Sequence, residues 1–429
     1  MELKKDSLHR SVTGPASTSM NFLNEVANRF PDAISLAAGR PYEGFHRIED
    51  IARHLSTYAE HLAAQGMPAE QVRRVFMQYG RTNGTIHHLI ARLLATDEGI
   101  EVPADAVAVT AGAQEAMVVV LRGLCAEPGD VLLTPDPCYV GIMGAAGLLD
   151  VPVVPVPETG AGIVPAEVAR VAAQVRAQGR RPRALYLVPN FANPSGVSLS
   201  TTARHELLAV AAEQDLLILE DDPYGLFPLA AEGRPSLKAL DTRQQVVYIG
   251  SFAKSVFPGA RVGFLVADQT VVDADGRRTL LAEELSTVKS MLTVNTSPIA
   301  QAVIGGFLVS CGCSLRAANQ EKIGFYRRNL RVLLSSLDRE FGGIPEVTWN
   351  TPDGGFFAVL DTPVVADAAL LELSAREYGV LWTPMSMFYL GTGGERQLRL
   401  SASYLQPDEI EEGVRRIARL LAERYPPAT

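Results

Sequence analysis

The stretch VVYIGSFAKSVFPGARVGFLVAD, residues 246–268, sets Lys254 and Arg261 between two runs of apolar, β-branched and aromatic residues. The flanking runs, VVYIGS ending at Ser251 and GFLVAD from Gly263, read as buried strands. Lys254 then lies in a loop with apolar flanks. An amine in that position is either a structural anomaly or a nucleophile of lowered pKa, as Schiff-base chemistry demands. Arg261 has the planar fork that grips a phosphate bidentately.

Outward from this stretch the same grammar repeats. AVAVT to Thr110, VLLTP to Pro135, VPVVPV from 151, ALYLVP to Pro189 and LLILED to Asp221 bring the expected strands to seven. QEAMVVVLRGLCA, PAEVARVAAQVRAQ and TTARHELLAVAAEQ read as helices between them, the last opened by an N-cap region at SLS. Strands alternating with helices predict an α/β domain with one mostly parallel sheet between helices. The segment GAG at 160–162 matches no dinucleotide fingerprint and reads as a loop. The chain ends look different: MNFLNEVANRF (20–30) is amphipathic, GGFFAVLDT and QLRLSASYL read as strands, and PDEIEEGVRRIARLLAERY as a closing helix. The expected division is an N-terminal segment 1–65 joining a smaller α+β domain, a large domain 66–310 and a small domain 311–429.

Composition narrows the function. A net charge of −9 over 429 residues disfavours nucleic acid as a partner. Cys125, Cys138, Cys311 and Cys313 are too few for a disulfide framework and suit a reducing cytoplasm. The Cys-Gly-Cys pair lacks a second ligand pair at zinc spacing, and His87 and His88 are adjacent on a helix, so packing is the reading for all of them and no metal is expected. The N-terminus lacks the apolar stretch of a secretory signal, and SPIAQAVIGGFLVSCGC is too short and Gly-rich to span a bilayer, so no membrane is expected.

Open α/β sheets bind ligands at the carboxyl ends of their strands. Four such ends carry polar residues here. In TAGAQEAM, a turn of small residues leads from Thr110 into a helix whose free N–H groups suit a phosphate. In VPNFANPSGV, Pro194 stiffens the turn that aims Asn193. LLILEDDPYGLF runs into Glu220, Asp221, Asp222 and Tyr224, and buried carboxylates need a cationic partner; Mg²⁺ is the competing reading, but no phosphate-loop lysine accompanies it. The fourth end holds Ser251, Lys254 and Arg261.

GAQEAM, NPSG, DDPY, SFAKSVFPGARVGF and, near the C-terminus, QLRLS occur in the order and near the spacing of the class I/II aminotransferases, which this chain resembles over almost its whole length. The resemblance implies the pyridoxal-5′-phosphate fold type I and pyridoxal 5′-phosphate as cofactor. It implies that Lys254 carries the cofactor as a Schiff base, that Asp221 pairs with its ring nitrogen, and that Asn193 and Tyr224 hydrogen-bond its 3′-oxygen. Phosphate would be held by the backbone at Ala113 and Gln114, by Ser251 and by Arg261, and Tyr139 would stack on the ring. Tyr79 in QYGRTNG resembles a tyrosine that reaches the neighbouring subunit's phosphate, which implies a homodimer with shared sites. Arg399 would grip the substrate carboxylate, helped by Gly39 and Asn193. Ala253 departs from a serine common in the family, which thins the phosphate cup.

The opening STSMNFLNEVANRFPDAISLAAGRPYEGF and VKSMLTVNTSPIAQAV are similar to the hydroxyphenylglycine and dihydroxyphenylglycine aminotransferases of peptide-antibiotic pathways. Tyr42, Phe45, Phe191 and Phe388 suit an aryl side chain or ordinary packing. The implied partners are an amino acid and a 2-oxo acid. Alternatives are an aminoadipate or aromatic aminotransferase, a pyridoxal-phosphate arginine oxidase or cyclising enzyme, and a decarboxylase, against which Arg399 argues. A cofactor-sensing regulator domain is disfavoured because the fold begins close to Met1.

Overall fold

The computed structural model describes residues 2–12, 25, 28–231 and 233–424; most of the amphipathic stretch 20–30 lies outside them. All seven expected strands form. They are β1 (Val107–Thr110), β2 (Asp130–Asp136), β3 (Val153–Thr159), β5 (Arg181–Leu187), β6 (Leu217–Asp221), β7 (Val246–Ser251) and β8 (Gly263–Val266), joined by an eighth, β4 (Gly162–Ile163). The sheet order is β1-β8-β7-β6-β5-β2-β3-β4. Strands β7, β6, β5, β2 and β3 run parallel, and β8 runs against both neighbours.

The strand β4 corrects the expectation of a seven-stranded sheet. The GAG segment is the tip of a hairpin in which Thr159 pairs with Gly162 and Glu158 with Ile163. Gly162 takes a φ of +93°, and the Thr159 hydroxyl donates to its carbonyl at 2.8 Å. Two strand residues carry no periodicity of their own, so this edge was invisible in the pattern.

Both faces of the sheet are covered by the helices α1 (Ile48–Ala64), α2 (Ala113–Leu124), α3 (Pro165–Ala177), α4 (Thr201–Glu213), α5 (Leu281–Thr293) and α6 (Pro298–Ser310). The strand period of two sorts residues between the faces. Leu132, Leu219, Val247 and Leu265 pack with α2 and α5, while Val131, Leu133, Ile218 and Val246 pack with α3 and α4. Burial on both sides explains why the strands read as continuous apolar runs. Ser200 opens α4 as expected, its Oγ accepting from the Ala203 amide at 3.1 Å.

A second sheet holds β9 (Thr348–Trp349), β10 (Phe357–Asp361), β11 (Thr383–Pro384) and β12 (Gln397–Ser401), antiparallel and in the order β9-β10-β12-β11. The closing helix α7 (Pro407–Arg424) buries Ile410, Val414, Ile417 and Leu421 against it, together with Leu36, Trp382 and Leu400. The N-terminal segment divides. Ile34–Ser35 pairs with Val380–Leu381 beside the second sheet, whereas α1 packs with α6 on the first.

Candidate active site

The carboxyl edge of the large sheet gathers the residues that the motifs singled out. Gly263, the first residue of β8, pairs with both Thr110 and Ser251. A Cβ on Gly263 would lie 2.7 Å from the Ala113 amide nitrogen, so only glycine lets the α2 turn and the end of β7 close on each other. Gly112, at φ +84°, precedes α2 without a side-chain cap, leaving the first helical N–H groups free. Its missing Cβ makes room for Arg261, whose Nη2 would stand 2.5 Å from it. Among the described residues no carboxylate pairs with Arg261. The Gln114 side chain turns away from this cup and donates to the Gly141 carbonyl at 2.7 Å, tying α2 to the turn that carries Tyr139. Ser251 Oγ accepts from the Ala253 amide at 3.2 Å.

Lys254 is partly buried, with Nζ donating to the Gly39 carbonyl at 2.6 Å. Burial, then the positive charges of Arg399 and Arg261, lower its pKa to about 8. Its Nζ lies 6.0 Å from the Tyr224 ring centroid and 5.9 Å from that of Phe356. A desolvated amine near neutral pKa is what imine chemistry requires.

The three carboxylates at the end of β6 diverge. Glu220 accepts from the amides of Leu237 and Lys238 at 2.7 and 2.8 Å. Asp222 accepts from Asn190 Nδ2 at 3.1 Å and from the Gly225 amide at 2.9 Å, holding the turn to Tyr224. Asp221 accepts from the Tyr186 hydroxyl at 2.8 Å through Oδ2, and its Oδ1 is buried without a partner. Burial raises the Asp221 pKa to about 7. Three carboxylates with separate partners do not make a magnesium site; among the described residues no group of three His, Cys, Asp or Glu is placed to hold a metal.

From the second sheet, β12 brings in Arg399. Its Nη1 donates to Asn193 Oδ1 at 2.7 Å and its Nη2 to the Ala37 carbonyl at 2.8 Å and Thr383 Oγ1 at 3.2 Å, while Nε has no partner. The guanidinium lies between the Phe357 and Phe388 rings, 4.5 and 4.8 Å from their centroids. Burial lowers its pKa to about 10, so it stays cationic at neutral pH. A buried cation facing no carboxylate is costly unless a ligand supplies one.

The orphaned Asp221 oxygen fits a protonated ring nitrogen, the Gly112–Arg261 cup fits a phosphate, and Lys254 fits an aldehyde. Pyridoxal 5′-phosphate carries all three of these groups. The chain matches the family model for aminotransferase class I and II over residues 35–417. It belongs to that family. This aminotransferase is 52% identical over 424 residues to the (S)-3,5-dihydroxyphenylglycine transaminase of Amycolatopsis orientalis, covering 99% of this chain and 95% of that one. Among solved structures, kynurenine aminotransferase of Pyrococcus horikoshii superposes with a TM-score of 0.82 at 26% identity, covering 99% of this chain and 97% of that one. The α-aminoadipate aminotransferase of Thermus thermophilus, complexed with N-(5′-phosphopyridoxyl)-L-leucine, gives 0.76 at 30% identity, covering 97% and 99%. The aminotransferase is therefore a fold type I enzyme with pyridoxal 5′-phosphate as cofactor. Among the described residues no helix is long and apolar enough to cross a membrane.

Tyr79 and three of the aromatic candidates stand differently from the rest. Tyr79 is 82% exposed, and among the described residues no hydrogen bond or ring contact ties it to this cluster. Tyr42 and Phe45 belong to an aromatic group with Phe325 and Tyr326, where Tyr42 stacks on Phe325 at 4.8 Å. Phe191 is buried against Tyr224, Phe227 and Phe356. Sequence reading missed Tyr186, Phe357 and Thr383. For Tyr186 a signal existed: a phenol inside the apolar strand ALYLVP must find a hydrogen-bond partner once buried.

Proposed function

We propose that this aminotransferase moves the amino group between an arylglycine, 3,5-dihydroxyphenylglycine or 4-hydroxyphenylglycine, and its arylglyoxylate in antibiotic biosynthesis. The observation that carries the substrate is the 52% identity, over nearly the full length, to a transaminase named for (S)-3,5-dihydroxyphenylglycine. The aromatic walls of the Arg399 site, Phe357 and Phe388, suit an aryl group attached directly to Cα. Pyridoxal phosphate supplies an electron sink for the electron pair left when the Cα proton departs. Ala113, Gln114, Ser251 and Arg261 would hold its phosphate, Tyr139 its ring face, Asp221 its ring nitrogen, and Asn193 and Tyr224 its 3′-oxygen. Arg399, with Gly39 and Asn193, orients the substrate carboxylate. Lys254 Nζ would be the base that takes the proton from Cα. Visible difference spectra of the holoenzyme with a panel of amino donors test the substrate. Conversion of the bound cofactor to its amine form by arylglycines is the expected result; conversion by L-glutamate or L-2-aminoadipate but not by arylglycines would overturn the substrate and leave the reaction.

We also propose that the enzyme is a cytoplasmic homodimer with shared active sites. Met77, Tyr79, Met291, Leu292 and Val294 expose 66%, 82%, 83%, 51% and 52% of their surface. Gly80 and Asn295 bring the two segments together: a Cβ placed on Gly80 would lie 3.7 Å from Asn295 Nδ2. An apolar patch of this kind is costly in water and suits a second copy. Lys254→Ala and Tyr79→Ala chains, each impaired alone, should regain activity when mixed and reassembled, because one hybrid site then has both residues intact. Sedimentation as a monomer, or no recovery on mixing, would refute sharing. Recovery of the activity in a membrane or secreted fraction would refute the location.

A further inference from the structure

We propose that Tyr186 is a positioning residue for the reaction, its phenol holding the Asp221 carboxylate by Oδ2 so that Oδ1 is left for the cofactor ring nitrogen. The inference rests on the reading that Asp221 serves that nitrogen.

The backbone register makes the pair. Tyr186 in β5 stands opposite Leu219 in β6, and Asp221 follows Leu219 by two residues, so both side chains leave the sheet on one face. The Tyr186 ring is buried in the core beneath α2, with Leu219, Val247 and Ile249. Its length carries the hydroxyl to Asp221 Oδ2 at 2.8 Å. Both residues are sealed from water, at 1% and 3% exposure, so neither group can exchange its partner for solvent. With Oδ2 committed, the buried carboxylate has one unpartnered oxygen, Oδ1. Burying an acceptor without a donor is costly, and the remaining donor must come from a ligand.

The same bond acts on the charge. Burial and neighbouring Asp222 both oppose ionisation of Asp221, and the Tyr186 hydrogen bond favours it. The other ionisable groups facing Asp221 are the phenols of Tyr139, Tyr224 and Tyr248, all themselves raised by burial, so none supplies a positive charge. A tyrosine can donate here without titrating, since burial and Asp221 hold Tyr186 well above the usual phenol range. The residue therefore fixes the carboxylate's direction and supports its ionised form.

Tyr186→Phe keeps the core volume and removes the donor. In the holoenzyme kcat should fall about tenfold or more and the cofactor should dissociate about tenfold more readily, the size of a lost hydrogen bond to a charged group. KM for the amino donor should hold, because Arg399 is untouched. The acid limb of the kcat profile should move to higher pH, since the Asp221 carboxyl loses the bond that favours its ionised form. If the variant proves unstable, 3-fluorotyrosine at position 186, a stronger donor of the same shape, should move that limb the opposite way. Wild-type kcat, cofactor retention and pH profile in Tyr186→Phe, or no shift with fluorotyrosine, would overturn the proposal. Asp221→Asn separates the two levels: an active Asp221→Asn enzyme sinks the underlying reading, whereas an inactive one beside a normal Tyr186→Phe enzyme sinks this inference alone. In the Asp221→Asn background the second substitution should add nothing.

Discussion

Lys254→Ala is expected to cut turnover by at least about four orders of magnitude while the protein folds normally and retains pyridoxal phosphate without a covalent bond. The lysine amine is both the attachment point and the base that moves the Cα proton. Another amine near this loop, Lys322, has its Nζ committed to the Ser255 and Val256 carbonyls at 2.8 and 2.9 Å. Burial beside Arg399 and Arg261 disfavours the charged amine, lowering its pKa to about 8, so holding it there costs the fold stability at neutral pH. Its removal leaves the Gly39 carbonyl short of one donor and relieves that burden, so the melting temperature should stay near that of the parent. Steady-state rates, cofactor content after gel filtration and thermal melting decide it. Activity within a hundredfold of the parent would remove Lys254 from the mechanism.

The second large effect belongs to Arg399. Arg399→Leu removes a buried cation that, among the described residues, has no partner for its Nε and forms no ion pair with a carboxylate. The loss appears only when a substrate carboxylate arrives, and kcat/KM for amino acids should fall by a factor of about 30 to several thousand, the range for breaking one side of a buried charge pair. Carboxylate binding is shared by ground and transition states, so KM should carry most of the change. An arylmethylamine without a carboxylate isolates the cause: its slow reaction should be no slower in the variant. An equal loss for both substrates would assign Arg399 to the architecture around Asn193 and Thr383 instead. The parent geometry favours the first outcome, since Asn193 Oδ1, the Ala37 carbonyl and Thr383 Oγ1 each lose only one bond.

Much of this was legible beforehand, for identifiable reasons. The strands β1, β2, β6, β7 and β8 are buried on both faces, and that burial writes unbroken apolar runs into the sequence. Lys254, Asp221 and Asn193 stood out because each is polar at the end of such a run. The strand β4 did not, being two residues at an edge held by the Thr159–Gly162 hairpin. Arg399 lies between apolar neighbours in β12, and composition alone does not distinguish a ligand clamp there from a core ion pair; the resemblance supplied its role. Tyr42 and Phe45 were candidates for the pocket because aromatic residues look alike in sequence, and packing set them against Phe325 and Tyr326.

The sequence by itself determined the α/β layering, the strand ends that matter and the residue types for an imine, a phosphate and a ring nitrogen, because periodicity and local chemistry are properties of neighbouring residues. Tertiary structure decided which atoms were left unsatisfied. Glu220 and Asp222 are spent on backbone amides and Asn190, Asp221 keeps Oδ1 free because Tyr186 occupies Oδ2, and Arg399 keeps Nε free between two rings. Those unsatisfied atoms arise from the register between β5 and β6 and from the docking of β12 over the sheet edge, and contacts between residues so far apart in the chain leave no local pattern to read.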